Sequence, residues 1–254
     1  MVPDDDRGLL LGDGLFETLL AEDGRLRFWD EHLARMARGC AVIGLAPPDP
    51  EAAMREANAA LAAAGLGAGQ AVVRVTLTAG SGRGLDRPNP AASRLIVTAS
   101  QAPASQGTVT LAIAGVRRND ASPAARVKSL SYLDNVLARR QARELGADEA
   151  LMLNTRGEMA CAAAANLFWI ADDRLFTPAL ECGVLAGITR ARVIEAARAL
   201  RTPVAEVREG MDSLRTAQAV FLTGSLIGVR PASALDGRPL GGSRLVEALS
   251  SRCR

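Results

Sequence analysis

Lysine is almost missing from this chain: of its 30 basic side chains, 29 are arginine and one is lysine, Lys128. There is one histidine and one tyrosine, and aromatic residues make up only 3%, so the core has to be assembled from Ala, Leu and Val. A single histidine argues against a structural zinc site, and the four cysteines, Cys40, Cys161, Cys182 and Cys253, form no CxxC pair, so no metal ligand set is expected. No apolar run reaches membrane-span length, and the opening Met1-Val-Pro-Asp-Asp-Asp-Arg7 is acidic, unlike a signal peptide. A net charge of +2 with both signs interspersed leaves no basic footprint for nucleic acid and no polybasic anchor for a membrane. The expectation is a cytoplasmic, soluble, reduced protein of one large or two modest domains.

A near-complete exchange of lysine for arginine points to an arginine-favouring codon bias, under which a lysine persists where arginine fails. Guanidinium solvates and pairs ions as well as ammonium does, but it does not lose a proton near neutral pH and attack a carbonyl. Schiff-base formation, with a substrate carbonyl or with pyridoxal phosphate, demands a primary amine. A chance survivor on a solvated face would satisfy the count equally well; the rest of the chain has to decide.

Along the chain, 15–21 reads as a strand, Glu22-Asp-Gly24 as its turn and 25–28 as the return strand. Asp30 is placed as the cap of a helix with Leu33, Met36, Cys40 and Ile43 on one stripe, stopped at Pro47-Pro48. A second helix is expected over 50–64, then strands over 71–78 and 94–98 around the loop Gly80-Ser-Gly-Arg-Gly84. The small, polar stretch 100–107 is the candidate linker, giving domains 1–104 and 105–254. Beyond it come a strand over 109–116, a loop to 125 and a helix over 131–145, whose Ser131 and Asp134 have capping-box spacing. Strands over 150–154 and 166–171, joined by an alanine-rich bend, precede a short strand at 174–177, a helix from Gly187 to about Leu200 and a strand over 219–223. The alternation argues for an α+β or α/β body in two lobes.

Lys128 stands before the expected helix at 131–145, whose positive end would favour a neutral amine beside it. Two segments could cradle a phosphate. Gly187-Ile188-Thr189-Arg190 opens a helix with its N–H groups pointing outward, and Thr223-Gly224-Ser225 follows a strand with two hydroxyls and a glycine. Either could equally be an ordinary turn. The Gly80–Gly84 loop matches no Walker or dinucleotide pattern and is read as a substrate loop.

Taken in order, seven segments resemble the fold-type IV, or class IV aminotransferase, family of pyridoxal-phosphate enzymes. They are Gly12-Asp-Gly-Leu-Phe-Glu-Thr18 and Asp30-Glu-His-Leu-Ala-Arg35, the lysine segment Lys128 to Asn135, and Asn166-Leu-Phe-Trp169 with Leu175-Phe-Thr177. Leu185-Ala-Gly-Ile-Thr-Arg190 and Phe221 to Pro231 close the set. The resemblance runs over nearly the whole chain. It implies a homodimer of two-domain subunits, a small N-terminal α/β domain and a larger C-terminal domain with a β-barrel-like core. The fold class is α+β, the cofactor pyridoxal 5′-phosphate and the substrate a small amino compound.

Residue by residue, the resemblance implies that Lys128 carries the cofactor as an internal aldimine and that Arg35 grips its phosphate with Ile188, Thr189 and Ser225. Leu185 would press on the pyridine ring and Tyr132 would reach its phenolic oxygen. Arg83, in a loop similar to one in aminodeoxychorismate lyases, would meet a substrate carboxylate. Glu17 points either at the substrate or along the hairpin face, and His32 is expected to be packed or capping. The chain departs from the family at Cys161, five residues before Asn166, where a glutamate should pair with the ring nitrogen. Glu158, three residues earlier, sits on the opposite face if the segment is regularly extended. The chain also opens about where family members have completed a first strand, as expected of a shortened start. The short length, the Gly12–Thr18 opening and the Gly80–Gly84 loop favour aminodeoxychorismate lyase. A transaminase of D- or branched-chain amino acids, or a weakly active cofactor-binding homologue, are the alternatives.

Overall fold

The computed structural model describes residues 2–88, 92–104 and 107–253. They fall into two compact units, Met1–Ala104 with Val127–Ser131, and Ser105–Arg126 with Tyr132–Arg254. The lysine segment, placed by the sequence in the C-terminal domain, therefore belongs with the N-terminal unit. Backbone bonds carry it there: the Phe16 N–H donates to the Lys128 carbonyl at 2.9 Å and the Leu130 N–H to the Gly14 carbonyl at 3.0 Å.

The first unit is built on alternation. In β3 (Gln70–Thr78) Val73, Val75 and Leu77 are buried on one face, and β3 pairs antiparallel with β1 (Gly14–Glu22) in a register that sets Leu15 opposite Leu77 and Leu19 opposite Val73. With β2 (Arg25–Leu26) and β4 (Arg94–Gln101) they form a sheet of order β2-β1-β3-β4. Two helices supply the other half of the core: Met36 and Cys40 of α2 (Trp29–Ile43), and Ala53, Ala57 and Leu61 of α3 (Pro50–Ala63). Alanine on the packed face of α3 lets its backbone approach closely, which is how a core with few aromatics stays dense. The α3 start is strong, since the Asp49 carboxylate accepts from the Ala52 N–H at 2.7 Å with Pro50 next, a cap worth about 1 kcal/mol.

Two helix starts differ from expectation. Phe28, in the left-handed region at φ 55°, is the N-cap of α2, and Asp30 lies inside its first turn. The helix after the lysine, here α5, spans Leu133–Glu144 with Tyr132 as N-cap and no side-chain cap, so Ser131 caps nothing. Lys128 thus precedes the helix by five residues, outside the first-turn reach of the macrodipole that the sequence argument invoked. A short helix, α1 (Arg7–Leu11), precedes β1 and went unread in the sequence; the Asp6 carboxylate caps it by accepting from the Gly8 N–H.

The second unit carries β5 (Val109–Ile113), α4 (Pro123–Arg126), α5, β6 (Glu149–Leu153), β7 (Met159–Ala162), β8 (Asn166–Ala171) and β9 (Arg174–Pro178). After them come α6 (Ile188–Ala199), β10 (Val204–Val207), β11 (Ala219–Gly224), β12 (Gly228–Leu235), β13 (Arg238–Pro239) and α7 (Arg244–Arg252). Its mixed sheet runs β10-β9-β8-β11-β12-β5-β6-β7, with β13 on β12, and curls so that β7 packs beside β8. This is the barrel-like core. Leu111, Leu151, Leu167, Trp169 and Leu222 line one of its clusters, and Phe168 stacks on Phe221 at 5.1 Å between centroids in another. The expected alanine-rich bend contains a strand, β7, and the expected linker begins inside β4; Ser105 and Gln106 lie outside the described residues.

Candidate active site

In the first unit, β1 delivers Phe16 and Glu17 on adjacent positions, so their side chains leave opposite faces of the strand. The Lys128 Nζ lies 4.2 Å from the Phe16 ring centroid, and the Arg74 guanidinium lies 3.8 Å from the same ring. Each contact of this kind is worth about 0.5–2 kcal/mol and fixes where the cation sits. Glu17, 1% exposed, has both oxygens engaged. Arg35 Nε donates to Oε1 at 2.8 Å, a terminal nitrogen of Arg35 donates to Oε2 at 2.5 Å, and His32 Nδ1 lies 2.6 Å from Oε2. Glu17, for which the sequence left substrate and hairpin face both open, is held by these two partners, because a carboxylate with no exposure must find donors inside the protein.

Burial alone would raise the Glu17 carboxyl, but the hydrogen bonds from Arg35 and His32 outweigh it and hold it below its ordinary value. Burial is also the largest influence on His32 and pulls it below its usual value against the opposing bond to Glu17. The ring is therefore neutral near pH 7, and since a carboxylate only accepts, Nδ1 carries the proton it shares with Glu17. His32 is packed, as expected, and does not cap. Arg83 is exposed, on the loop after β3.

In the second unit, α6 begins at Gly187 without a side-chain cap, leaving its first-turn N–H groups for an anion. Ile188 and Thr189 are buried, and Leu185 and Ser225 are half-buried. Asn166 organises this end: its Nδ2 donates to the Leu185 carbonyl at 3.0 Å, and it pairs with Thr223 across β8 and β11. A Cβ at Gly187 would come within 2.0 Å of Asn166 Oδ1, so any larger residue there would have to displace the Asn166 carboxamide from its bond to Leu185. The Thr223 hydroxyl is fully buried with no hydrogen-bond partner among the described residues. Tyr132, half-buried, stands at the start of α5.

Cys161 lies in β7, 7% exposed, and burial pushes its thiol up; Arg118 opposes that shift and Glu149 adds to it. The strand is not regularly extended. Met152 faces Cys161 while Leu153 faces Met159, so Ala160 is an extra residue, a β-bulge. Met159 and Ala162, three apart, accordingly share one cluster, while Cys161 joins Cys182 in another. Glu158 comes to the same side as Cys161, and its Oε2 lies 3.6 Å from Cys182 Sγ, which overturns the parity argument. It is nonetheless occupied. Burial would raise its carboxyl, but hydrogen bonds from Arg156, Asn154 and Arg208 hold it down at about 2.

Sequence reasoning passed over Arg118, whose guanidinium donates to the carbonyls of Gly183 and Ala125 beside Asn135 Oδ1. As one of 29 arginines it carried no signal. Phe16, within the Gly12–Thr18 segment, is the residue under the lysine.

The pattern of the family described as Amino-transferase class IV matches residues 14–235. The chain belongs to that family. It is similar to the solved 4-amino-4-deoxychorismate lyase from Pseudomonas aeruginosa, 34% identical with a TM-score of 0.88 over 99% of this chain and 93% of that one. It is 29% identical to D-alanine aminotransferase from Listeria monocytogenes over 92% of this chain and 82% of the relative. The branched-chain aminotransferase from Thermoproteus uzoniensis is 25% identical, with a TM-score of 0.91 over 99% of this chain and 87% of that one.

The family's enzymes use pyridoxal phosphate, and the residues of this class IV chain fit that cofactor in two respects. The uncapped start of α6, the close approach at Gly187 and the partnerless Thr223 hydroxyl form an end suited to a phosphate. Lys128 is the one lysine in the chain, and so the one side-chain primary amine that such a cofactor's aldehyde could meet. At Cys161 the fit is altered, since a buried neutral thiol offers no charge to a ring nitrogen.

Proposed function

We propose that this class IV enzyme is an aminodeoxychorismate lyase, converting 4-amino-4-deoxychorismate to 4-aminobenzoate and pyruvate. The observation that carries the reading is the buried Cys161 thiol at the position where the family has a carboxylate. When bound, the cofactor supplies an aldehyde that takes the substrate amine and a ring that draws electrons from the adjacent carbon. Lys128, located over Phe16, would take the proton from that carbon as general base. The enolpyruvyl oxygen would then leave the neighbouring ring carbon with the bonding electrons, and Lys128 would return the proton as general acid to the methylene carbon of the departing enolpyruvate, giving pyruvate. A carboxylate at the ring nitrogen strengthens the electron draw, and a thiol does not. Transamination relies on that draw throughout, whereas the lyase expels a leaving group and gains an aromatic ring, so it tolerates the weaker partner.

Arg35, with its guanidinium oriented by Glu17, would hold the phosphate with Ile188, Thr189 and Ser225. Leu185 would press on the ring, Tyr132 would serve the phenolic oxygen, and Arg83 would take a substrate carboxylate as a charge-assisted pair. The exposed Leu133, Val136 and Leu137 on α5 support a homodimer, and four free, buried cysteines suit a reducing cytoplasm. Among the described residues no helix is long and apolar enough to cross a membrane.

The likeness to D-alanine and branched-chain aminotransferases favours a second reading, transamination. Separate single turnovers of the loaded enzyme with D-alanine, an L-branched-chain amino acid and aminodeoxychorismate decide between them. The lyase reading requires aminobenzoate from the third. Rapid loss of the amine from an amino acid, with no aminobenzoate, would overturn it, and inertness toward all three would favour a cofactor-binding homologue of little turnover.

A further inference from the structure

The Gly80–Pro88 loop is held from beneath by a residue that the mechanism does not use. Arg7 is 2% exposed, and its guanidinium donates to three successive loop carbonyls: Gly84 at 2.8 Å, Leu85 at 3.0 Å and Asp86 at 3.1 Å. Its Nε donates to Asp13 Oδ2 at 2.9 Å. Asp13 also takes Arg87, at the loop's far end, through Oδ2 at 3.0 Å and Oδ1 at 2.5 Å, and Arg87 reaches on to the carbonyls of Ile43 and Gly44 at 2.7 and 2.8 Å. The backbone joins in, since the Arg7 N–H donates to the Gly80 carbonyl and the Gly82 N–H to the Asp5 carbonyl. Gly80, at φ 75°, would place a Cβ 1.8 Å from the Ala92 carbonyl oxygen, so the loop has little freedom at its entry.

Two charged loop side chains stand outside this arrangement: Asp86, which offers only its carbonyl to Arg7, and Arg83. Arg83 is exposed and has no hydrogen-bond or ion-pair partner among the described residues. A fixed backbone presenting one uncommitted guanidinium is the arrangement that recognises an anion without first having to order the loop.

We infer that Arg7, with Asp13 and Arg87, is a positioning residue that presets the Gly80–Pro88 loop so that Arg83 can take a substrate carboxylate. The inference rests on the proposed role of Arg83. Lysine cannot replace Arg7, because one ammonium does not span three carbonyls and a carboxylate in a fixed fork.

The test uses the full chain loaded with cofactor and has two readouts. The first is the trypsin cleavage rate at Arg83–Gly84, identified by fragment mass; Arg87 is followed by proline and resists trypsin, so cuts in this loop report one bond. The second is KM against kcat for aminodeoxychorismate. Arg7→Lys should speed the cut at least about 10-fold and raise KM about 10-fold, with kcat within about 3-fold. Adding Arg83→Gln to it should raise KM no further than Arg83→Gln alone. Arg87→Gln, at the more exposed end of the clamp, should show the same pattern more weakly and serves if Arg7→Lys does not fold. Unchanged cleavage in both clamp variants overturns the inference, as does an unchanged KM when Arg83→Gln raises it. If Arg83→Gln leaves KM unchanged, or no variant turns over this substrate, the Arg83 or lyase reading has failed instead. The cleavage rate then decides whether Arg7 presets the loop.

Discussion

In the first unit, Arg7, Asp13, Glu17, His32 and Arg35 are buried or nearly so, and each is matched by another side chain or a carbonyl. In the second unit, the Thr223 hydroxyl and the Arg190 Nε are buried without a hydrogen-bond partner among the described residues. A buried polar group left unsatisfied costs about 1–3 kcal/mol, so matched groups hold geometry, whereas an unmatched hydroxyl beside an uncapped helix start marks where a ligand can supply the acceptor. The contrast separates two tasks: the charged cluster around β1 in the first unit is fixed beforehand, and the start of α6 in the second keeps capacity in reserve.

The largest effect is expected at the lysine. Lys128→Arg keeps a cation for Phe16 but no attacking amine, so activity should fall by more than about 1,000-fold and borohydride should trap no cofactor on the protein by mass spectrometry. A trapped adduct would refute the assignment, since the chain has no second lysine. Next comes the matched network. Glu17→Gln leaves the Arg35 charge buried with a weaker partner and should cost about 3 kcal/mol in urea unfolding of the cofactor-free protein. Thr223→Val is the sharpest probe of the contrast. It removes a hydroxyl that has no partner, so cofactor-free stability should change by less than about 0.5 kcal/mol or rise, while cofactor affinity falls about 10-fold. Equal losses in both measurements would erase the distinction between the units.

Cys161→Glu should tighten cofactor binding a few-fold, read by fluorescence titration, by giving the ring nitrogen a charge partner. No change would mean that the side chain does not meet the ring. The smallest effect is at Glu158. Its carboxyl is lowered to about 2 in the folded chain, so its contribution is fully present above the ordinary carboxylate range and is lost as pH falls toward 2. Glu158→Gln should therefore destabilise by about 1 kcal/mol at pH 7, and by progressively less as the urea midpoint is followed below pH 4.

Where alternation is strict the sequence was readable, and β1 and β3 lie within a residue or two of their expected bounds. It was unreadable in β7, whose Met159-Ala-Cys-Ala162 is buried throughout and carries no alternation to distinguish strand from bend. The bulge at Ala160 adds a second difficulty, because it reverses the side-chain parity on which the reading of Glu158 depended. The polar part of the buried face of α2 left no mark in the apolar pattern for a related reason. Apolar periodicity marked Met36 and Cys40, but His32 and Arg35 share the buried face because Glu17 meets them there. The expected site residues are likewise divided. Lys128, Glu17, Arg35 and Arg83 belong to the first unit, and Tyr132, Cys161, Leu185, Ile188, Thr189 and Ser225 to the second.

What the sequence determined by itself is what composition and short-range order encode. These include one available amine, the family's ordered segments and the strands and helices whose periodicity spans a few residues. Tertiary structure alone decided that Lys128 joins the first unit, through backbone bonds to β1 more than a hundred residues away in sequence. It also decided which guanidiniums act. Arg7 reaches Gly84, Leu85 and Asp86 across a gap of 77 to 79 residues, and Arg87 reaches Asp13 across 74. In a chain with 29 arginines, residue type cannot separate a loop clamp from a solvated surface charge. Burial and distance make that separation, because they set both the cost of leaving a charge unpaired and the partner that offsets it.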